Sequence, residues 1–486
     1  MHLKAAKTLI ASGMVLMTIF MSGCSSGLLP KERTVKGNNI LDSKAEDFIK
    51  GEFANAVLKK DKGEIQLKKD RSGYYKSGVY TSGTINTDAF NNALISCNAD
   101  TPEGTAVKIE LQVAVDGKWS SWLSWGTWST SLSPGSNLSS PADDAALMDP
   151  DIFYVKGKNK TAAALKYRLT LTTENAAVTP SVRLVAISVK NNSEEAAQAV
   201  SSNSKTSEYV DFEKVLKVPA LSQMVRDSKI AGNICSATSM TMVMNYYGVD
   251  VLPEENAWGI FDNKALLFGN SAFACTYAGS YGFTSYLCYC NSLDDLKKEI
   301  ADGNPVIASV KYKNSGETSD DLPVLHGAPI ARTEGHIVVV CGFIKENGKN
   351  YIVVNDPAAD NNEGVQVKYL ADEFEKAWVK RAYIVHRDDK RKLGERQRVT
   401  AALETTGGKR EYPDSVSLEY SLNYDSKPID LKSIRTIMAT LDGKKFDYYN
   451  KTSKNTVWFD GLEGKGKYKL YFIAEDKTYV SEIDWK

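Results

Sequence analysis

"AGNICSATSMTMVMNYYG", residues 231–248, sets a cysteine at the foot of a segment whose apolar spacing turns helical at once. After Cys235, the residues Met240, Val243, Met244 and Tyr247 fall at i, i+3, i+4 and i+7, the stripe of a buried helix, and Gly248 supplies a stop. Cys235 is therefore expected at a helix N-terminus. There the unpaired backbone N–H groups and the positive end of the dipole favour a thiolate, lowering a pKa that is about 8.5 in a free cysteine. A thiol alone behaves as a small buried hydrophobe, so chemistry requires partners.

The chain has four histidines. His2 lies in the N-terminal apolar segment, His326 in "VLHGAPIA" and His386 in "YIVHRDD", whereas His336 in "EGHIVVVCGF" opens an apolar strand directly after Gly335. A second β-rich run, "NYIVVNDPAAD", ends in Asn355, Asp356 and Pro357, and a hairpin through "KENGKN" sets Asp356 beside His336. Cysteine, histidine and aspartate in that order supply a nucleophile, a base and an orienter, the arrangement of papain-like thiol enzymes. Upstream, "VPALSQ" ends in Gln223, whose carboxamide can join the Cys235 backbone N–H in holding a tetrahedral oxyanion.

Gln223, "NICSATSMTMVMNYYG", "GHIVVVCGF" and "VNDPA" together resemble the cysteine peptidase family of bacteriocin-leader (double-glycine) peptidases, in its branch of stand-alone secreted members, over residues 214–387. "SLDDLKKEIADGNPVIASVKY" agrees with it: Ser292 caps a short helix, Leu296 and Ile300 form its buried face, Gly303 ends it, and a strand begins after Pro305. The resemblance implies an α+β papain-like domain over residues 210–388, acting on a peptide or protein substrate. It assigns Cys235 as nucleophile, His336 as general base and acid, Asp356 as orienter and Gln223 as oxyanion donor. No cofactor or metal is implied. Family members commonly carry Gly-Pro after the cysteine; here Ser236 and Ala237 follow, which keeps helix geometry and leaves substrate preference open. Transglutaminases and NlpC-type peptidoglycan endopeptidases share the same chemistry.

The flanks are β-rich. In residues 50–190, Val107, Ile109, Leu111, Val113 and Val115 alternate with polar residues, as do Leu165, Tyr167, Leu169 and Leu171, predicting an antiparallel β-sandwich of jelly-roll type. "WSSWLSWGTWS", residues 119–129, spaces Trp119, Trp122, Trp125 and Trp128 by three, which fits neither one strand face nor one helix face. Some indoles must find cover in a core, a neighbouring domain or a ligand, and solvent-facing ones are candidates for carbohydrate stacking. Residues 191–209 read as a linker, and "HRDDKRKLGERQR", 386–398, as a solvated connection. From 399 to 486 alternation returns in Val416, Leu418, Tyr420, Leu422 and Tyr424 and in Tyr468, Leu470 and Phe472, predicting a small immunoglobulin-like β-sandwich.

Residues 1–23, with Lys4 and Lys7 before an apolar run that ends in Met-Ser-Gly-Cys, resemble a bacterial lipoprotein signal peptide. The resemblance implies lipidation of Cys24, a tether over 24–49, and export to the outer face of the bacterial cell membrane, with the lipid as the membrane contact. The 60 basic and 60 acidic residues balance, which argues against nucleic acid as a partner. The remaining cysteines, Cys97, Cys235, Cys275, Cys288, Cys290 and Cys341, do not form a disulfide framework, although pairing among Cys275, Cys288 and Cys290 stays open. The alternative to an enzyme is a catalytically inert surface adhesion or scaffold lipoprotein that binds glycan or protein through its β domains.

Overall fold

The computed structural model describes residues 32–131, 135, 142–193, 209, 211–314, 321–411, 416–443, 445–449, 452–453, 455–459, 462 and 466–485. Cys24 and nearly all of the expected 191–209 linker lie outside the described residues.

Alternation in the first domain yields two large sheets among the described residues, in addition to the two-stranded pair Lys69–Asp70 and Gly73–Tyr74. One runs Arg33–Thr34, Ile85–Phe90, Ala162–Thr173, Thr105–Val115, Lys118–Trp119; the other runs Ala146–Asp149, Ile152–Val155, Asn92–Asp100, Ser181–Lys190, Glu64–Leu67, Ala56–Lys59. Thr105–Val115 pairs antiparallel with Ala162–Thr173, setting Val107 opposite Leu171, Ile109 opposite Leu169 and Leu111 opposite Tyr167. Period two puts all six on one face, where they are fully buried; each contributes about 1.5–3 kcal/mol by leaving water. The expected tether at 24–49 is corrected from Arg33 onward. Arg33–Thr34 pairs with Ile85–Phe90, Asn39–Asp42 pairs with Ser181–Lys190, and Ile40 and Phe48 enter the core. Two apolar anchors and a free sheet edge outweigh the polar composition of this stretch.

The central domain is built on a sheet ordered Thr284–Tyr289, Trp378–His386, Val306–Lys313, Arg332–Glu346, Lys349–Asn355, Gln366–Leu370, with Lys214–Val215 also on Arg332–Glu346. Asn347 and Gly348 both have positive φ, 50° and 75°, the requirement of a tight two-residue hairpin turn, so Arg332–Glu346 and Lys349–Asn355 pair in register around it. The helix Cys235–Tyr246 lies on the sheet, burying Met240, Val243 and Met244, and Ser239 donates to the Ile337 carbonyl at 3.1 Å. Helix Leu293–Ala301 is capped by Ser292, with Leu296 and Ile300 buried and Gly303 at φ +89° ending it.

The edge strand Thr284–Tyr289 meets the first domain. Its outward N–H groups at Ser285, Leu287 and Tyr289 donate to Asn98 Oδ1 at 3.0 Å, Ser96 Oγ at 3.2 Å and Ser188 Oγ at 2.8 Å, and Asn98 Nδ2 returns a bond to the Ser285 carbonyl at 2.7 Å. Side chains of one domain thus replace the missing ladder of the other. Beside that strand, Phe273 of helix Ser271–Ser280 packs against Trp125 and Trp128, ring centroids 5.3 and 5.5 Å away.

The last domain also has two sheets among the described residues, one containing Thr436–Thr440, Gly466–Ile473 and Thr478–Trp485, the other Ala402–Glu411, Val416–Tyr424 and Val457–Phe459. Leu422, Phe459, Tyr468, Leu470 and Phe472 form their common core. The expected solvated connection at 386–398 is corrected in part: several of its residues are exposed, but Arg391, Arg396 and Arg398 are anchored. Arg396 is buried on the carbonyls of Ala474 and Glu475, and Arg398 clasps the fully buried Glu255 at 3.0 and 2.7 Å. Neighbouring Glu254 accepts from Arg226 at 3.0 Å through both oxygens and from the Tyr448 hydroxyl at 2.6 Å. Buried carboxylates require such partners, and the charge run exists to supply some of them.

Candidate active site

The helix bearing Cys235 begins directly after a 3₁₀ turn at Ala231–Asn233, and no side chain caps it at Ile234. Its first amides therefore remain free to face an anion. The His336 ring and the backbone N–H groups of Ile337 and Ser236 lie close enough to the Cys235 thiol to favour its anion. Burial opposes ionisation, but the imidazole and these amides outweigh it and hold the thiol below its ordinary value.

His336 projects from strand Arg332–Glu346, and Asp356 follows the end of the paired strand Lys349–Asn355. His336 Nε2 lies 2.7 Å from Asp356 Oδ1, and both residues are buried. A carboxylate accepts, so Nε2 carries the proton and Nδ1 is left for the sulfur. Burial disfavours the imidazolium, yet the Asp356 charge and hydrogen bond, reinforced by Cys235, raise His336 to about 10. Asp356 is itself held below the usual carboxylate range: burial works against it, while His336, the Ala358 N–H at 3.0 Å and the Tyr369 hydroxyl at 3.0 Å favour the anion. The three groups favour one another's charged forms, thiolate, imidazolium and carboxylate.

Gln223 is buried, with Nε2 donating to the Ala231 carbonyl at 2.7 Å and Oε1 unpartnered. Its carboxamide faces the turn that leads into Cys235, and its second amide hydrogen is unspent. A Cβ added at Gly232, before Cys235, or at Gly335, before His336, meets nothing within 4 Å, so both positions border open space. The other histidines are engaged elsewhere, His326 with Glu373 at 2.8 Å and His386 with Glu299 at 2.7 Å. Among the described residues, no group of His, Cys, Asp or Glu could hold a metal ion.

The tryptophan cluster divides. Trp125 and Trp128 are fully buried against Phe273, which corrects their assignment as ligand-binding aromatics. A register shift between Ile109 and Leu111 and a φ of +131° at Gly126 rotate the strand, letting indoles three apart meet the same phenyl ring. Trp119 is 39% exposed and Trp122 half-buried, with Lys166 Nζ and the Arg168 guanidinium each 4.6 Å from their ring centres. Tyr369, Asn355 and Asn362 also touch the site and carried no local sequence signal. Alternation marks Tyr369 only as a strand residue, and Asn355 stood out only as the neighbour of Asp356.

Residues 215–385 match the family model described as Peptidase_C39 like family. The central third of the chain is thus similar to C39-like domains. Residues 41–189, which span the two-sheet domain covering the edge strand Thr284–Tyr289, match a second model described as Peptidase C39 N-terminal domain. Among solved structures, a C39-like peptidase from Bacillus anthracis is 18% identical, covering 37% of this chain and 99% of its own at a TM-score of 0.28. A double glycine motif protease from an AMS/PCAT transporter, solved with its leader peptide, is 22% identical over 37% of this chain and 100% of its own, with a TM-score of 0.25. Procathepsin B S9 from Trypanosoma congolense is 16% identical over 37% and 80%, also at 0.25. No curated protein matches the chain. The match of the C39-like domain supports a cysteine peptidase.

Proposed function

We propose that the protein is a thiol hydrolase that cleaves peptide or amide bonds with Cys235, His336, Asp356 and Gln223. The observation that carries this is the buried His336–Asp356 hydrogen bond at 2.7 Å, with the imidazole beside the Cys235 thiol at the start of an uncapped helix. The Cys235 thiolate attacks the carbonyl carbon, and the carbonyl π pair moves to oxygen, where Gln223 and the Cys235 backbone N–H hold it. As the tetrahedral adduct collapses, the His336 imidazolium gives its proton to the leaving amine, and the acyl group remains on sulfur as a thioester. The neutral imidazole then takes a proton from water, whose oxygen displaces the sulfur, and acid, thiolate and imidazolium are restored.

Two measurements test the proposal. Iodoacetamide labels Cys235 of wild type rapidly below pH 7 and labels His336→Ala only as fast as an ordinary thiol; identical thiol-like profiles in the two proteins would discard the ion pair. A mixed peptide library, read by mass spectrometry, yields cleavage products with wild type and none with Cys235→Ala. The same library supplies the substrate preference that Ser236 and Ala237 leave open.

The proposal extends to the flanks: a jelly-roll-like first domain, an immunoglobulin-like last domain, and a lipid on Cys24 that tethers the exported protein to the outer face of the membrane. Palmitate incorporation that disappears in Cys24→Ala is the expected result for the anchor. The adhesion alternative now rests on Trp119 and Trp122 alone, whose ring faces already carry Lys166 and Arg168; a glycan array probed with the full chain and with Trp119→Ala tests it.

A further inference from the structure

Residues 218–223, the arm that ends in Gln223, belong to no helix or strand, so no ladder fixes them. They are instead stitched to residues 355–362, the loop that carries Asp356. Asn355 Nδ2 donates to the carbonyls of Val218 and Pro219, each at 3.2 Å. The Gln223 N–H donates to the Pro357 carbonyl at 2.8 Å, and the Ser222 N–H donates to Asn362 Oδ1 at 2.8 Å. The Ser222 hydroxyl closes the seam on the Ala359 carbonyl. Asn355 and Ser222 are fully buried, whereas Asn362 is half-buried at the rim.

The side-chain amide of Gln223 makes a single hydrogen bond, to Ala231. Its aim therefore depends on where the backbone of the arm sits, and an oxyanion donor displaced by about 1 Å loses much of its effect. We propose that Asn362 is a positioning residue for the oxyanion donor: by holding Ser222 it fixes Gln223, so that one loop sets both the carboxylate that orients His336 and the amide that meets the oxyanion. This inference rests on the thiol-hydrolase reading above.

The test uses acetyl-glycinal, a small aldehyde that needs no knowledge of the substrate. The Cys235 sulfur adds to the aldehyde carbon, the C=O π pair moves to oxygen, and that oxygen occupies the oxyanion position before taking the imidazolium proton. Protection of Cys235 from iodoacetamide reads the aldehyde affinity, and labelling across pH without aldehyde reads the thiolate separately. Gln223→Ala weakens the aldehyde on the order of 100-fold. Asn362→Ala weakens it about five- to tenfold, the loss of one hydrogen bond, with a labelling profile that coincides with wild type. The double variant is no weaker than Gln223→Ala alone, because Asn362 acts only through Gln223, and Asn362→Asp, which keeps an acceptor for the Ser222 N–H, retains wild-type affinity. Asn362→Ala binding as tightly as wild type, or losses that add in the double variant, overturns the inference. Wild type that neither binds acetyl-glycinal nor labels at low pH overturns the hydrolase reading, and the inference with it.

Discussion

His336 and Asp356 form a buried pair, Nε2 to Oδ1 at 2.7 Å, just beyond the paired part of one hairpin. Cys235 titrates below the ordinary thiol value and His336 at about 10. Activity therefore appears as the thiol loses its proton and disappears as the imidazolium loses its own near pH 10. Asp356→Asn keeps the shape and removes the charge. Its expected outcome is a kcat/KM lower by on the order of 10²–10⁴ and an alkaline limb displaced to lower pH.

The same pair makes stability depend on pH. A histidine whose pKa is raised on folding stabilises fully below its unfolded value of about 6.5 and loses that contribution as the pH rises through the folded value, here about 10. Asp356, lowered on folding, contributes above about 3.9 and loses its contribution as the pH falls through its folded value. The urea midpoint of wild type should exceed that of Asp356→Asn most between about pH 4 and 6.5, with the margin narrowing toward pH 10.

Tyr369 donates to the second oxygen of Asp356 at 3.0 Å from the neighbouring strand Gln366–Leu370. Tyr369→Phe leaves the ring in place and removes that bond, raising the carboxylate pKa. Stability should fall by about 1–3 kcal/mol, and the contribution of Asp356 should be lost at a higher pH on acidification than in wild type. Urea titrations of both proteins across pH check both.

Phe273 fills the space between Trp125 and Trp128, so Phe273→Ala opens a cavity at the joint of the first two domains. A loss of about 3–5 kcal/mol is expected, with a red shift in tryptophan emission as water reaches the indoles. Unchanged emission and stability would mean that the two domains do not rely on this contact.

Glu255 is fully buried between Arg398 and the Thr478 hydroxyl, the latter at 2.7 Å. Glu255→Ala leaves Arg398 paired with Asp250 alone beside a buried gap, which costs about 1–3 kcal/mol. Limited proteolysis should then cut between 386 and 398 faster than in wild type.

Chemistry that depends on neighbours in sequence was legible. A helix start marks Cys235, a strand opening marks His336, and an Asn-Gly turn brings Asp356 back beside it, because helix, strand and turn periods are local properties. Partners that meet only in the folded chain were not legible. Tyr369 looks like any alternating strand residue, and Asn362 sits in a polar loop like many others. "HRDDKRKLGERQR" looked like a solvated run because composition does not reveal that Glu254 and Glu255 lie buried on the far side of the joint. Period three in the tryptophans called for cover, and the bulge that gave Trp125 and Trp128 a common neighbour is a feature of pairing, invisible in one strand.

The side-chain caps that Asn98, Ser96 and Ser188 place on strand Thr284–Tyr289 determine how the central domain can be studied. Cut away from its neighbour, that domain would present a bare row of amides to any extended chain nearby and would self-associate as protein concentration rises. An excised fragment beginning near residue 210 would then report on clumping as much as on cleavage, so kinetic work belongs on the chain that retains the preceding domain.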